Sequence, residues 1–115
     1  MGSSYKQLIV WQKSIVLTKS VYEATRVFPK EELFGLTSQM KRAAVSIPSN
    51  IAEGSRRVSK KDTNNFYGIA FGSASELETQ IEIAYQLGFL DEQIYNELLS
   101  LLTEILKMLN KLTTY

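Results

Sequence analysis

Apolar residues recur along most of the chain at spacings of three and four, which is the period of an amphipathic α-helix. The final segment shows this most clearly, because it carries two adjacent apolar rows. The first row is Ile94, Leu98, Leu101, Ile105, Met108 and Leu112, and the second is Tyr95, Leu99, Leu102, Leu106 and Leu109. One row is sufficient for packing inside a bundle. Two rows predict burial on both sides and therefore oligomerisation.

The first helix is predicted over about residues 5–27 and also carries two apolar rows. One row is Leu8, Trp11, Ile15 and Tyr22, and the other is Val10, Leu17, Val21 and Phe28. One row can face the core while the other faces a partner. Phe28-Pro29 ends this helix, because the residue before a proline is driven out of the helical region. Pro29, followed by Glu31 and Glu32, suits the start of a second helix.

The second helix contains a proline within its apolar pattern. Its apolar face consists of Leu36, Met40, Ala43, Ile47, Ile51 and Val58. Pro48 removes the hydrogen bond that the carbonyl of Ala44 would accept, so the sequence predicts a kink or a break between Ser46 and Asn50. Ser46, Ser49 or Asn50 is expected to bond the freed backbone groups.

Capping signals delimit the last two helices. Ser59 with Asp62 three residues later opens a third helix that ends near Leu87, and Gly88 and Asp91 suit its C-cap and the N-cap of the fourth helix. The predicted core row of the third helix is Phe66, Ala70, Ser73, Leu77, Ala84 and Leu87.

Three glycines within these helices are expected to shape the packing. Gly54 permits a close approach or a change of direction. Gly68 and Gly72 lie inside a helix with no strand before them, so tight helix packing is favoured over a phosphate cradle.

Composition restricts the chemistry. The chain has 115 residues, enough for a single domain with a real core, and it contains no Cys and no His. This composition excludes disulfides, thiolate metal sites and His-based acid–base catalysis. We therefore assign no catalytic residues, metal or cofactor. No apolar run approaches the roughly 20 residues that a membrane span needs, so we expect no membrane contact and a cytoplasmic location.

The formal net charge of +1 conceals a strong asymmetry along the sequence. Residues 1–61 carry 11 Lys and Arg against 4 Asp and Glu, whereas residues 62–115 carry 2 against 8. In a bundle, this distribution lets oppositely charged halves attract one another and leaves a basic surface on one side.

Several motifs give the chain a family resemblance. They include the run SIPSNIAEG at 46–54 together with Leu8, residues 10–13, Phe28-Pro29, Gly35-Leu36, Gln39, Arg42-Ala43, Gly72-Ser73 and residues 76–78. The chain resembles the four-helix-bundle proteins encoded within intervening sequences of bacterial 23S ribosomal RNA genes, over nearly its whole length. The resemblance implies an all-α, antiparallel up-down four-helix bundle over residues 5–115. Residues 1–4 are set aside as an added or disordered N-terminus.

The resemblance also implies an assembly and a partner. The relatives form a ring, a homopentamer, and are similar to the accessory subunit of diversity-generating retroelements, a basic bundle that binds nucleic acid and a reverse transcriptase. It implies no enzymatic activity. This chain departs from the family pattern at Thr63, Gly68 and Phe71. Phe71 replaces a residue that is often basic, which argues against a nucleic-acid surface on the third helix.

A row of polar residues shares one face of the second helix. The row is Arg42, Ser46, Asn50 and Glu53. It can hold a ligand, but we favour a structural polar network that also includes Glu76. In that network Arg42 or Arg57 pairs with Glu53 or Glu76, and Asn50 satisfies the backbone opened by Pro48.

A basic cluster follows this row. Its members are Arg56, Arg57, Lys60 and Lys61, with Lys41 nearby. They can track a phosphate backbone, although such clusters are more often solvated faces. The aromatic residues Trp11, Tyr22, Phe66, Tyr67 and Phe71 can stack on bases. Their helical spacing favours core or interface packing, and only Tyr67 and Phe71 are left open.

The sequence therefore predicts a non-enzymatic, homo-oligomeric bundle that acts as a nucleic-acid-binding or scaffolding module, with RNA as the favoured nucleic acid. The alternative is a protein-interaction subunit that binds no nucleic acid. Glu53, Glu76 and Glu78 supply carboxylates for a third reading, an enzyme, but salt bridging is the favoured role without a His or Cys partner.

Overall fold

The protein is a bundle of four α-helices, described by a computed structural model over residues 4–113. The helices are α1 (Ile9–Thr25), α2 (Leu36–Ser55), α3 (Lys60–Gln86) and α4 (Glu92–Leu112). Each helix packs against the next, and α4 closes the bundle against α1. Because the connections are short, neighbouring helices run antiparallel. The bundle is 45 Å long. The predicted all-α, up-down four-helix bundle is confirmed.

The N-terminal segment differs from the prediction of one helix from residue 5. Ser4 Oγ accepts a hydrogen bond from the Lys6 N–H at 3.1 Å and caps a 3-10 helix over Tyr5–Gln7. Leu8 is extended (φ −70°, ψ 126°) and separates this turn from α1. Ser4 thus belongs to the fold, whereas the rest of the segment set aside, residues 1–3, lies outside the described residues.

The second helix begins later than Pro29. Lys30–Glu32 form a 3-10 helix, and α2 starts only at Leu36. The Glu32 carboxylate accepts a hydrogen bond from the Leu36 N–H at 3.2 Å and so supplies the N-terminal cap. The acidic residue therefore acts on α2 from outside the helix.

The predicted caps of α3 and α4 are confirmed. Ser59 Oγ accepts from the Asp62 N–H at 3.1 Å, and Asp91 Oδ1 accepts from the Ile94 N–H at 2.8 Å. Gly88 adopts φ +80°, a left-handed conformation that favours glycine.

The core uses one predicted row of α1 and the centre of the two rows of α4. In α1 the buried residues include Val10, Leu17 and Val21, while most of the other row is half-buried. In α4 the buried residues are Leu98, Leu102, Ile105 and Leu109, two from each predicted row. The outer members of both rows remain partly exposed.

The predicted core row of α3 is one residue out of phase in its first half. Tyr67 is buried, with 6% of its surface exposed, whereas Phe66 and Ser73 are only partly buried. The buried row of α3 is Tyr67, Ala70, Ala74, Leu77, Gln80, Ile81 and Ala84. Leu87 and Val58 were also wrongly placed in the core, because both follow the last turn of their helices and point to solvent.

Helix α2 runs without interruption through Pro48. The predicted break at this position is therefore wrong, and the predicted kink stays a prediction. The freed carbonyl of Ala44 accepts a hydrogen bond from Thr18 Oγ1 of α1 at 3.1 Å. The same hydroxyl lies 2.8 Å from the Ser14 carbonyl of its own helix. The expected donors Ser46, Ser49 and Asn50 are not the ones that bond this carbonyl.

Of the three glycines predicted to shape the packing, only Gly54 lies close to another helix. A Cβ on Gly54 would lie 2.8 Å from the Tyr67 ring, so the predicted close approach at Gly54 is confirmed. A Cβ on Gly68 or Gly72 would meet no atom within 4 Å. The prediction of tight helix packing at Gly68 and Gly72 is therefore wrong for contacts within the described chain.

We predict that Thr18→Val destabilises the protein by about 1–3 kcal/mol, because it leaves the Ala44 carbonyl without a donor. In a Pro48→Ala background the same substitution should cost less than about 1 kcal/mol, since the new backbone N–H at residue 48 can bond that carbonyl. Urea unfolding of the four proteins measures the difference. An equal cost in both backgrounds would contradict this assignment.

We predict opposite effects for two glycine-to-alanine substitutions. Gly54→Ala should lower the free energy of unfolding by about 1–3 kcal/mol, because the added methyl group collides with Tyr67. Gly68→Ala should raise it by up to about 1 kcal/mol, because this site is open and alanine is the better helix former. Thermal unfolding followed by circular dichroism compares them. The assignment fails if Gly54→Ala is as stable as the parent.

Candidate nucleic-acid interface

The up-down topology gathers basic residues from all four helices at one end of the bundle. This basic end contains the start of α1 and α3 and the end of α2 and α4. Its cationic residues are Lys6, Lys13, Arg56, Arg57, Lys60, Lys61, Lys107 and Lys111, and they outnumber the nearby acidic residues Glu53, Asp62 and Glu104. The opposite, acidic end carries Glu23, Glu31, Glu32, Glu82, Asp91, Glu92 and Glu97, which outnumber the nearby Arg26, Lys30 and Lys41. The charge asymmetry between the sequence halves therefore becomes a polarity along the bundle axis.

Four of the five predicted nucleic-acid contacts meet at this basic end. The Arg56 guanidinium lies 5.0 Å from the centroid of the Tyr5 ring. Arg57 lies 4.7 Å from the centroid of the Phe66 ring and forms an ion pair with Glu53 of the preceding helical turn.

Lys60 and Lys61 lie exposed on the first turn of α3. Together with Asn64 and Asn65 they line a shallow depression of about 380 Å³. Neither lysine has an ion-pair partner among residues 4–113.

Lys41 lies away from the other predicted contacts. It sits over the Tyr22 ring at 4.8 Å from the centroid, near the start of α2. At 1.5 Å per residue, Arg56 is roughly 22 Å further along the same helix. Lys41 is therefore near the basic cluster in the sequence but not in space, because the two ends of α2 lie at opposite ends of the bundle.

Sequence reasoning missed Lys6 and Lys107, which the fold brings to the basic end. Both are distant in sequence from the predicted cluster. The ion pair between Lys13 and Glu104 at 3.2 Å shows how the start of α1 lies beside the end of α4. The alternating direction of the four helices was the available signal. It places the N-termini of α1 and α3 at the same end of the bundle as the C-termini of α2 and α4.

The predicted polar network divides into a bonded and an exposed part. Ser46 Oγ lies 2.8 Å from Ser73 Oγ, and Asn50 Nδ2 donates to the Ser46 carbonyl at 2.8 Å. The first contact links α2 to α3 through Ser73, which was predicted only as a core position, and the second lies within α2. The side chains of Arg42 and Glu76 are exposed and form no hydrogen bond or ion pair with other residues of the described chain.

A groove of about 480 Å³ runs between α1 and α2 towards the basic end. Its lining comprises Tyr5, Trp11, Ile15, Thr18, Val45, Pro48, Ser49, Ala52, Glu53 and Arg56. The Trp11 and Tyr5 rings meet edge to face with centroids 5.3 Å apart. This groove lies on the face of α2 that carries Pro48, and Arg42 and Asn50 do not line it.

A second groove of about 520 Å³ separates α1 from α4 nearer the acidic end. Val16, Val27 and Leu101 give it an apolar surface, and Lys19 and Glu97 stand among its charged residues. It includes none of the predicted nucleic-acid contacts.

Shifted pKa values mark structural contacts between α3 and α4. The Tyr95 hydroxyl donates to Glu82 Oε1 at 2.5 Å, and this bond holds the pKa of the Glu82 carboxyl below its usual value. The same carboxylate raises the pKa of Tyr95, whose ring stacks on Tyr85 with centroids 4.0 Å apart. Burial raises the pKa of Tyr67. These groups join the helices and do not face either groove.

The described residues hold no group of three or more Asp and Glu side chains that is arranged to bind a metal ion. Within residues 4–113, no helix combines the length and apolarity needed to cross a membrane.

The fold has a close relative among known structures. The chain is similar to a protein of unknown function from the S23 ribosomal protein family of Bacteroides thetaiotaomicron, with a TM-score of 0.83. The two are 24% identical, over 93% of this chain and 100% of that one, so the likeness shows the fold alone. No curated protein matches the chain. The model of the 23S rRNA-intervening sequence protein family matches residues 6–111, and the chain therefore belongs to that family.

Proposed function

We propose that this protein is a non-enzymatic, homo-oligomeric bundle that binds RNA through its basic end. The observation that carries the proposal is the placement of cationic residues from the helix ends and their connections at one end of the bundle. Phosphate contacts by lysine and arginine provide sequence-independent affinity. The family's description links it to 23S rRNA, which makes RNA the first nucleic acid to test.

Partly exposed apolar residues support the oligomeric part of this proposal. Both flanks of the α4 core row remain partly exposed in the single chain. Soluble proteins seldom leave a large contiguous apolar surface exposed to solvent. We therefore infer that a second copy of the chain covers these residues. The homopentamer implied by the sequence resemblance is the assembly that we propose.

A cyclic assembly would make weak contacts effective. Rotation about a single axis leaves the component of each bundle's charge polarity along that axis unchanged. Basic ends that project along the axis would therefore lie on the same rim of the ring. Contacts on one RNA would then add through multivalency, and the ring would serve as a scaffold.

The alternative function is a cytoplasmic protein-interaction subunit that binds no nucleic acid. The acidic end favours it, because Phe34 is 93% exposed and Val27 is 78% exposed there. Purification of the protein with a bound protein partner and no absorbance from nucleic acid would support this alternative.

We predict that replacing Lys60 and Lys61 with Gln weakens RNA binding and flattens its salt dependence. For single strands, each lost phosphate contact should reduce the slope of log affinity against log salt by about 0.7. Filter binding at several salt concentrations measures this slope.

The matched control is the double replacement of Lys19 and Lys30 with Gln. It removes the same charge from exposed lysines away from the basic end, and its slope should equal that of the parent. Equal losses in both proteins would indicate a net-charge effect and contradict a site at the basic end.

We predict that light scattering gives a mass several times that of the 13.0 kDa chain. The physical reason is the partly exposed apolar surface on α4, which a second copy would cover. A stable monomer at micromolar concentration would contradict the oligomer.

A further inference from the structure

We propose that the groove between α1 and α2 binds one unpaired nucleobase of a single-stranded RNA segment, stacked on Trp11. This inference rests on the proposed function and adds a base-binding site to the phosphate contacts at the basic end. Hereafter we call this groove the base groove; its lining residues are given above.

The surface of the base groove has the character that a base requires. Trp11 and Tyr5 form an aromatic wall, and Ile15, Pro48 and Ala52 form an apolar floor. Trp11 touches the core but remains half-buried, so part of its indole is open to a ligand. Stacking on an aromatic side chain is the usual way in which proteins hold single-stranded bases.

Arg56 connects the base groove to the basic end. Its guanidinium lies over the Tyr5 ring and also lines the groove. Lys6 follows Tyr5 in sequence, and the basic residues of α3 follow within a few positions of Arg56. A phosphate held at this end therefore places the attached base at the mouth of the groove. This charge complementarity favours RNA over an apolar peptide.

Besides the Arg56 guanidinium, which donates, the base groove offers acceptor atoms. Glu53 pairs with Arg57 through Oε2, which leaves Oε1 available. The Ser49 hydroxyl donates to the Val45 carbonyl at 2.8 Å, so its oxygen can accept a further bond. Acceptors fit a base that presents N–H groups on its Watson–Crick edge, and guanine offers two adjacent ones. Such an edge is free only outside a duplex.

Trp11 supplies a direct signal, because it is the only tryptophan in the chain. The probes are a short oligouridylate that carries one central guanosine and an abasic oligomer with the same number of phosphates. We expect the first to quench Trp11 fluorescence and to bind roughly 5- to 100-fold more tightly than the abasic oligomer. Replacement of the guanosine by uridine should weaken binding.

Two variants test the stacking contact. Trp11→Ala should lose that 5- to 100-fold preference, whereas Trp11→Phe should keep most of it. Tyr22→Ala is the matched control, since Tyr22 is a partly exposed aromatic residue of α1 outside the groove. If Trp11→Ala fails to fold, the comparison of the two oligomers on the parent protein still tests whether a base contributes to binding.

Three outcomes would overturn or separate the proposals. Equal, salt-dependent binding of both oligomers with unchanged fluorescence would overturn the base groove and leave the RNA-binding function standing. No binding of either oligomer at low salt would overturn both. Dissociation of the oligomer by Trp11→Ala, with Trp11 shielded from acrylamide in the parent assembly, would show that a second copy covers the groove and would also overturn the inference.

Discussion

The interior proline of α2 is the constraint around which the bundle is arranged. A proline cannot donate to the carbonyl one turn earlier, and a buried carbonyl without a donor is costly. The protein meets this requirement from outside the helix, because Thr18 of α1 bonds the Ala44 carbonyl. Pro48 is buried on the face of α2 that lines the groove between α1 and α2. Thr18 lines the same groove, so the bond that satisfies the backbone lies beside it.

The other face of α2 is held against α3 by small and polar groups. Gly54 lets the Tyr67 ring approach the backbone of α2, and the hydroxyls of Ser46 and Ser73 meet across the helices. Both contacts need short distances, so larger side chains at these positions would separate the pair. This tight pairing brings the end of α2 and the start of α3 together, which places Arg56 and Lys60 on one surface.

The charge pattern acquires a functional meaning only through topology. Along the chain it is a difference between two halves, which by itself indicates attraction between hairpins or between subunits. The antiparallel arrangement redistributes it, because each helix spans the bundle and contributes to both ends. Cations near the start of α1 and the end of α4 then join those of the α2–α3 connection. The resulting basic end is the surface through which we propose that the protein binds phosphate, and Arg56 lies both there and in the lining of the groove between α1 and α2.

The sequence by itself determined the helices and much of the core, because periodicity and capping are local signals. The caps at Ser59, Gly88 and Asp91 were predicted correctly for this reason. Tertiary structure decided what depends on distant residues: the donor for Ala44, the rotation of α3 that buries Tyr67, and the separation of Lys41 from the basic cluster. In each case the deciding atom belongs to another helix or to the opposite end of the same one. The spacing of residues along one helix carries no information about such neighbours.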